Sequence, residues 1–194
     1  MAKGGSFDFR EIKKLQKQIE RLEAEKDKFC EACARELAAR LLRKIIMRTP
    51  VGDYSGGKYN CKARQGPSFT HQSWKRKGMV GGTLRRGWTT QSSGSGAEGL
   101  KSQGATQYAE TLKVHHFADT YVIEVTNSTE YASYVEYGHR QTPGRYIPAL
   151  GVSAKKAWVP GKFMLTISEK EINDLAPKLI EKKLEAKLRE VFDA

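Results

Sequence analysis

From Phe7 to Arg48 the chain contains neither proline nor glycine, and this stretch limits what it can fold into more than any other feature. Within it Ile12, Leu15, Ile19 and Leu22 recur at spacings of three, four and three, and the register continues through Phe29, Cys33, Leu37, Leu41 and Ile45. That is the pattern of one amphipathic helix. At 1.5 Å per residue a helix of about 40 residues spans roughly 60 Å, more than a domain built from 194 residues can cover by itself. Part of residues 7–48 should therefore pack on another subunit or project. Thr49-Pro50 ends the helix, because proline disfavours the helical conformation of the residue before it.

The stretch 52–82 reads oppositely. It is glycine-rich and carries Lys58, Lys62, Arg64, Lys75, Arg76 and Lys77 against the single acid Asp53, so it cannot build a core and is expected as a long basic loop. Tyr54, Tyr59, Phe69 and Trp74 are interleaved among its cations, the composition expected for base stacking with phosphate contact. A solvated or subunit-binding loop would look the same. The net charge of +12 calls for an acidic partner, either a polyanion or an acidic protein surface. Charge does not separate DNA from an acidic protein rim.

Ser92 to Gly104 reads as a hairpin tip or disordered loop. Strands are expected over Thr83–Gln91, Thr106–His115 and Asp119–Asn127, where Tyr121, Ile123 and Val125 alternate with Val122, Glu124 and Thr126. Asn127-Ser128-Thr129 reads as a strand-end turn. Tyr131, Tyr134 and Val135 sit at helical spacings on a short helix, residues 129–137, which Gly138 terminates. Pro143-Gly144 and Pro148 mark a further loop, and Ala157–Thr166 should return as a strand. Ser168 with Glu171 matches a capping box, opening a helix over residues 168–192 with Ile172, Leu175, Leu179, Leu184, Leu188 and Val191 on one face. Pro177 should kink or restart it. The expected fold is α+β in one domain, 1–194: a small antiparallel sheet across 83–166 packed against the long N-terminal, short central and C-terminal helices, with residues 1–6 a flexible lead.

Chemistry is sparse. Cys30 and Cys33 have the spacing of a zinc half-site but no second pair, and on a helix they share a face with Phe29 and Leu37, so a core role is expected. Cys61 has no activating neighbour, and His115 and His116 point to opposite faces of a strand. Glu136-Tyr-Gly-His139 has the spacing of half a di-iron motif, without the second motif and extra carboxylates such a site requires. No phosphate-cradling loop, zincin motif or nucleophile elbow occurs. No cofactor, metal or catalytic activity is expected. Three cysteines and a start without an apolar core region point to folding in a reducing cytoplasm, and no run of about 18 apolar residues suggests a membrane span.

Four segments bear a resemblance. Thr49-Pro50-Val51 followed by Gly82-Thr83-Leu84-Arg85-Arg86-Gly87-Trp88, then Tyr131 to Arg140, and finally Trp158-Val159-Pro160-Gly161-Lys162-Phe163-Met164 are similar in content and order to the HK-type tail-component family of tailed phages, also called neck or tail-completion proteins. The likeness runs over roughly residues 7 to 192. Its signature falls on Pro50, Gly82, Leu84, Arg85, Trp88, Tyr131, Tyr134, Glu136, Gly138, His139, Trp158 and Gly161. Family members keep the first two motifs close together, and the insertion of residues 52–82 is a departure whose role does not carry over.

The resemblance implies a structural virion protein: a homohexameric ring, assembled in the bacterial cytoplasm, that completes the tail and joins it to the head. Its neighbours would be portal, connector or stopper proteins above and tail terminator or tail-tube proteins below, with genomic DNA in the lumen. Two other readings stay open, a terminator ring capping the tail tube and a small basic nucleic-acid-binding protein; a metal nuclease lies behind them. From the residues alone, Leu84 and Trp88 should face one side of a sheet with Arg85 on the other. Tyr131, Tyr134 and Val135 should pack the short helix on that sheet, leaving Glu136 to cap a helix or pair with Arg85 or Arg140.

Overall fold

A computed structural model describes residues 9–52, 58–61, 69–72, 81–90, 107–147 and 152–193. The chain is α+β, as its residue patterns imply. Its first element is α1 (Arg10–Arg48), uninterrupted over 39 residues. Charged pairs one turn apart support it, Arg21 with Glu25, Glu31 with Arg35 and Glu36 with Arg40, each worth about 0.2–0.5 kcal/mol on an exposed helix.

The helix α5 (Met164–Phe192) lies antiparallel to it. Cross-links rise along one helix as they fall along the other: Gln18 Nε2 donates to Val191 O at 3.0 Å, Arg21 meets Glu190, Lys187 meets Glu25, Lys183 meets Glu36, and Lys44 and Arg48 share Glu171. The expected cap was misplaced. The helix begins at Met164 and not at Ser168, which is buried one turn inside, donates to Met164 O at 2.7 Å and accepts from Arg48 Nη1 at 2.9 Å. The partner imagined for its capping box, Glu171, instead joins α5 to α1. Helix α5 runs through Pro177 without a break in its assignment.

The strands pair two by two, all antiparallel. In the basic stretch β1 (Lys58–Cys61) pairs with β2 (Phe69–Gln72), so residues expected as loop hold a hairpin. The expected strand Thr83–Gln91 is a helical turn, α2 (Thr83–Arg86), then β3 (Trp88–Thr89). The expected strand Thr106–His115 is a short helix, α3 (107–111), that reaches β4 (His115–Phe117) only at its last residue. Along α3 and just past its end, the burial of Tyr108, Ala109 and Leu112 together follows a helical period, which a strand cannot place on one side, whereas the separation of four between Leu84 and Trp88 fits either period and lets the chain pass from α2 into β3.

Strand β4 turns back into β5 (Thr120–Val122), and β6 (Thr126–Asn127) pairs with β3. Burial alternates here as the sequence implies, with Tyr121, Ile123 and Val125 less exposed than Val122, Glu124 and Thr126. The turn after Asn127 is pinned by its own side chain, which accepts from Thr129 N and donates to Leu84 O. The short helix α4 (Ala132–Tyr137) leads into β7 (Gly138–Arg140), which pairs with β10 (Trp158–Pro160). Between them, β8 (Tyr146–Ile147) and β9 (Val152–Ser153) form a hairpin within a stretch expected as plain loop. The expected return strand Ala157–Thr166 is therefore strand only over β10, and it ends where α5 starts. The tip Ser92–Gly104 lies outside the described residues.

The core lies at the C-terminal end of α1, where Ala38, Ala39, Leu42 and Ile45 meet Leu84, Trp88, Tyr108, Ala109, Leu112 and Met164. Fully burying each large apolar side chain contributes about 1.5–3 kcal/mol. The other end of α1 is different: Ile12, Leu15 and Ile19 stay exposed, with Phe192 at the end of α5 alongside Ile12 and Leu15. On α5 only Ile172 and Val191 of the expected face are buried, while Leu175, Leu184 and Leu188 remain exposed.

Hydrogen bonds from Arg48 and Lys44 hold the Glu171 carboxyl down to about 2 from an ordinary 4.5. A carboxylate depressed in the folded state adds stability above its unfolded pKa and loses it as pH falls through the folded value. Thermal melts of Glu171→Gln and the unmodified chain should differ most above pH 4.5, and the gap should close on acidification toward pH 2. A gap that stays constant over that window would assign the pairing no role.

Candidate functional site

The segments that resemble a family converge on two structural nodes. The first is the end of α1. Thr49 is fully buried, and its hydroxyl donates to Ile45 O at 2.7 Å while accepting from the Trp88 indole Nε1 at 2.8 Å. Its carbonyl accepts from Arg85 Nη2 at 2.7 Å and Nε at 3.3 Å. An Arg–Trp pair three residues apart thus grips one threonine, and Pro50, exposed, directs the chain away after it. Leu84 and Trp88 enter the core together, as expected, Leu84 from the helical turn α2 and Trp88 from β3.

The second node is the junction of α4, β7, β10 and α5. The first residue outside α5, Phe163, gives its helix no side-chain cap and has a left-handed φ of 49°. Glu136, 5% exposed, supplies the cap from α4: its carboxylate accepts from Leu165 N at 3.0 Å, Thr166 N at 2.9 Å and Thr166 Oγ1 at 2.8 Å. A carboxylate at a helix N-terminus satisfies orphan amides and complements the helix dipole. The carbonyl of the same residue accepts from Phe163 N at 3.0 Å, and Val135 O accepts from Lys162 N at 2.8 Å. Glu136 is therefore a cap, one of its two expected roles. The other is corrected: among the described residues it pairs with neither Arg85, which serves Thr49, nor Arg140.

Close backbone contact explains the glycines here. A Cβ on Gly161 would collide with Glu136 O and lie 2.6 Å from Tyr137 C, and one on Gly138 (φ 84°) would lie 2.5 Å from Val159 O. Backbone atoms cannot step aside as a flexible side chain can. His139 meets the edge of Tyr134, ring centroids 5.8 Å apart, and its buried Nδ1 has no hydrogen-bond partner among the described residues.

Around this rigid junction the aromatic side chains point outward. Tyr134 and Tyr137 of α4 are 59% and 60% exposed, Trp158 of β10 is 51% exposed, and Tyr131 is also exposed. The expectation that Tyr131 and Tyr134 pack α4 on a sheet is thus corrected: Ala132 and Val135 face the core instead. Exposed aromatics held on a fixed backbone are the side chains most enriched at protein interfaces.

Other candidates resolve simply. Cys33 is buried, with its thiol pushed up by desolvation, and Cys30 is partly buried beside it on α1. His116 stacks on Tyr121 at 4.5 Å, and the Tyr121 hydroxyl donates to Asp27 at 2.6 Å, which ties the β4–β5 hairpin to α1. No grouping of three or more metal-ligating side chains occurs among the described residues. The expected cations Lys62, Arg64, Lys75, Arg76 and Lys77 lie outside the described residues, and of Lys58 only the backbone, in β1, is described. Thr166 is the contributor the resembling segments leave out, and Thr49, which opens the first of them, takes a bonding role its sequence position does not reveal. An uncapped Pro-Gly-Lys-Phe-Met approach to α5 was the available signal that some other element must cap it.

The first node is testable. Thr49→Val keeps the side-chain shape but orphans the indole N–H of Trp88, a residue only 4% exposed, and should cost about 1–3 kcal/mol. A urea midpoint unchanged by the substitution would show that the indole bond contributes nothing.

No curated protein and no solved structure matches the chain significantly. The model of the HK97-gp10-like family matches residues 13–138, which include the whole Thr49 node and Glu136, leaving β10 and α5 outside the match. The chain belongs to the HK97-gp10-like family of bacteriophage tail components.

Proposed function

We propose that the chain is a structural protein of the phage neck, forming a ring, a homohexamer, that completes the tail and joins it to the head connector. Family membership supports a tail component of the virion. The observation that carries the narrower reading is the exposed set Tyr131, Tyr134, Tyr137 and Trp158 around a junction fixed by Glu136, Gly138 and Gly161. Such a surface binds without ordering its backbone first, so little of its contact energy is lost to conformational entropy. Its mechanism is association, not chemistry, with portal, connector or stopper proteins on one side and terminator or tail-tube proteins on the other.

Replacing Tyr134 and Tyr137 together by alanine should leave melting nearly unchanged, because both side chains are mostly exposed, while reducing incorporation into tail particles at least tenfold. Full incorporation of the double variant, read by quantitative blotting of purified particles, would remove the aromatic face from assembly. If particles lacking this chain attached normally to heads, the neck reading itself would fail.

The net charge of +12 and the cations of residues 52–82 support a second contact, with DNA in the lumen of the ring or with an acidic neighbouring ring. Contact with phosphates predicts that binding of duplex DNA by the pure protein weakens linearly in log salt. Each of Lys75→Ala and Lys77→Ala should then reduce the slope by roughly one. Indifference to DNA at low salt would leave the acidic ring as the partner.

A further inference from the structure

The pairs β7–β10 and β8–β9 are two halves of one bent ribbon. Between them the strands stay bonded: Gln141 N donates to Ala157 O at 2.9 Å, Gly144 N to Ala154 O at 2.8 Å and Ala154 N to Arg145 O at 2.8 Å. The bend is built in. Pro143 and Gly144, the latter with a φ of 82°, make a turn in which Arg145 N donates to Thr142 O at 3.2 Å, so Gly144 and Arg145 together face Ala154 alone. Such a bulge bends and twists a strand pair.

The ribbon stands away from the core. Residues 142–146 and 155–158 are all exposed, with Ala154 buried between them, and a Cβ placed on Gly144 would meet no atom within 4 Å. Its charge is one-sided. From Tyr137 to Ser168 there is no aspartate or glutamate, and the ribbon inside that stretch carries Arg140, Arg145, Lys155 and Lys156. The helices differ in this respect, since Arg48, Lys183 and Lys187 each meet a carboxylate across the α1–α5 pair. Among the described residues the four ribbon cations make no ion pair and no side-chain hydrogen bond. Their charge is left for something outside the chain.

We propose that this ribbon is a basic arm that binds duplex DNA, laying Arg140, Arg145, Lys155 and Lys156 on its phosphates. The site is separate from residues 52–82 and does not depend on the ring reading. Shape favours DNA over an acidic protein surface: the major groove, about 12 Å wide, admits a two-stranded ribbon whose strands lie about 4.8 Å apart. Side-chain chemistry agrees. Thr142, Tyr146 and Ser153 add exposed hydroxyls, which donate to phosphate oxygens as the cations do. Lysine supplies two of the four cations, and lysine is depleted at the centres of protein interfaces while serving well as a point charge on phosphate.

Fluorescence anisotropy of a labelled two-turn duplex, titrated with the full chain over a salt series, tests the arm. The unmodified chain should bind at low salt and weaken linearly in log salt. Arg140→Ala with Arg145→Ala should lower that slope by roughly two, and should weaken AT-rich and GC-rich duplexes alike. Lys155→Ala with Lys156→Ala should do the same, and serves alone if the first pair changes the circular dichroism. No binding at low salt, or a slope that both pairs leave intact, would overturn the arm. A slope lost only with Lys75→Ala and Lys77→Ala would assign the DNA to residues 52–82 instead. Pairs that bind duplex normally yet fail to enter tail particles would put an acidic protein on the ribbon, which also defeats the proposal. None of these results bears on the neck reading, which fails only if particles lacking the chain join heads normally.

Discussion

The buried carboxylate of Glu136 is the interaction on which the rest of the structure depends. A helix of 29 residues starts at Met164 with no capping side chain of its own, after a residue held in a left-handed conformation. Glu136 accepts two of its first amides and a threonine hydroxyl, and its own carbonyl fixes Phe163. A buried carboxylate without such donors would be strongly unfavourable, and a buried helix end without such an acceptor would be too. Each removes the cost of the other. This sets where α5 begins, and therefore the register in which Glu171, Lys183 and Lys187 meet α1. The glycines at 138 and 161 follow from the same contact, since the strands must approach within backbone distance for the carboxylate to reach the helix.

What could be read from the sequence divides along a physical line. The long helix was legible because its periodicity runs over many turns, and the β5–β6 segment because its alternation is strict. Leu84 and Trp88 were legible as a pair for a subtler reason: a separation of four places two side chains on one side under either a period of two or one of 3.6. The pair was right while the element was not, and Arg85, whose position depends on the period, was matched with Glu136. Arg85 grips the Thr49 carbonyl.

The misplaced start of α5 has a similar origin. Ser168 and Glu171 fit a capping pattern locally, but a serine one turn inside a helix can bond back to the carbonyl four residues earlier, as Ser168 does with Met164. Burial against Arg48 then makes that alternative the stable one. The outward aromatics were misread for a different reason. Spacings of three and four identify a face of α4, yet in a helix of six residues they do not say which of two faces meets the core, and the small Ala132 with Val135 takes it. A chain that turns Tyr134 and Tyr137 to solvent has an apolar face to place elsewhere, which is the expectation for a subunit and not for a free-standing domain.

The basic stretch of residues 52–82 sits on the first node, and the node explains how the fold accommodates it. At its base a Cβ on Gly81 would collide with Gly52 O, so the two ends of the stretch touch. Arg85 binds Thr49 just before the chain leaves, and Trp88 binds the same residue just after it returns. The closure is therefore fixed by contacts outside the stretch. Once ends are held this way, each doubling of a flexible loop adds only about 0.6 kcal/mol of closure entropy. The length and charge of residues 53–80 can change almost independently of the core, so this basic stretch is free to acquire a partner of its own.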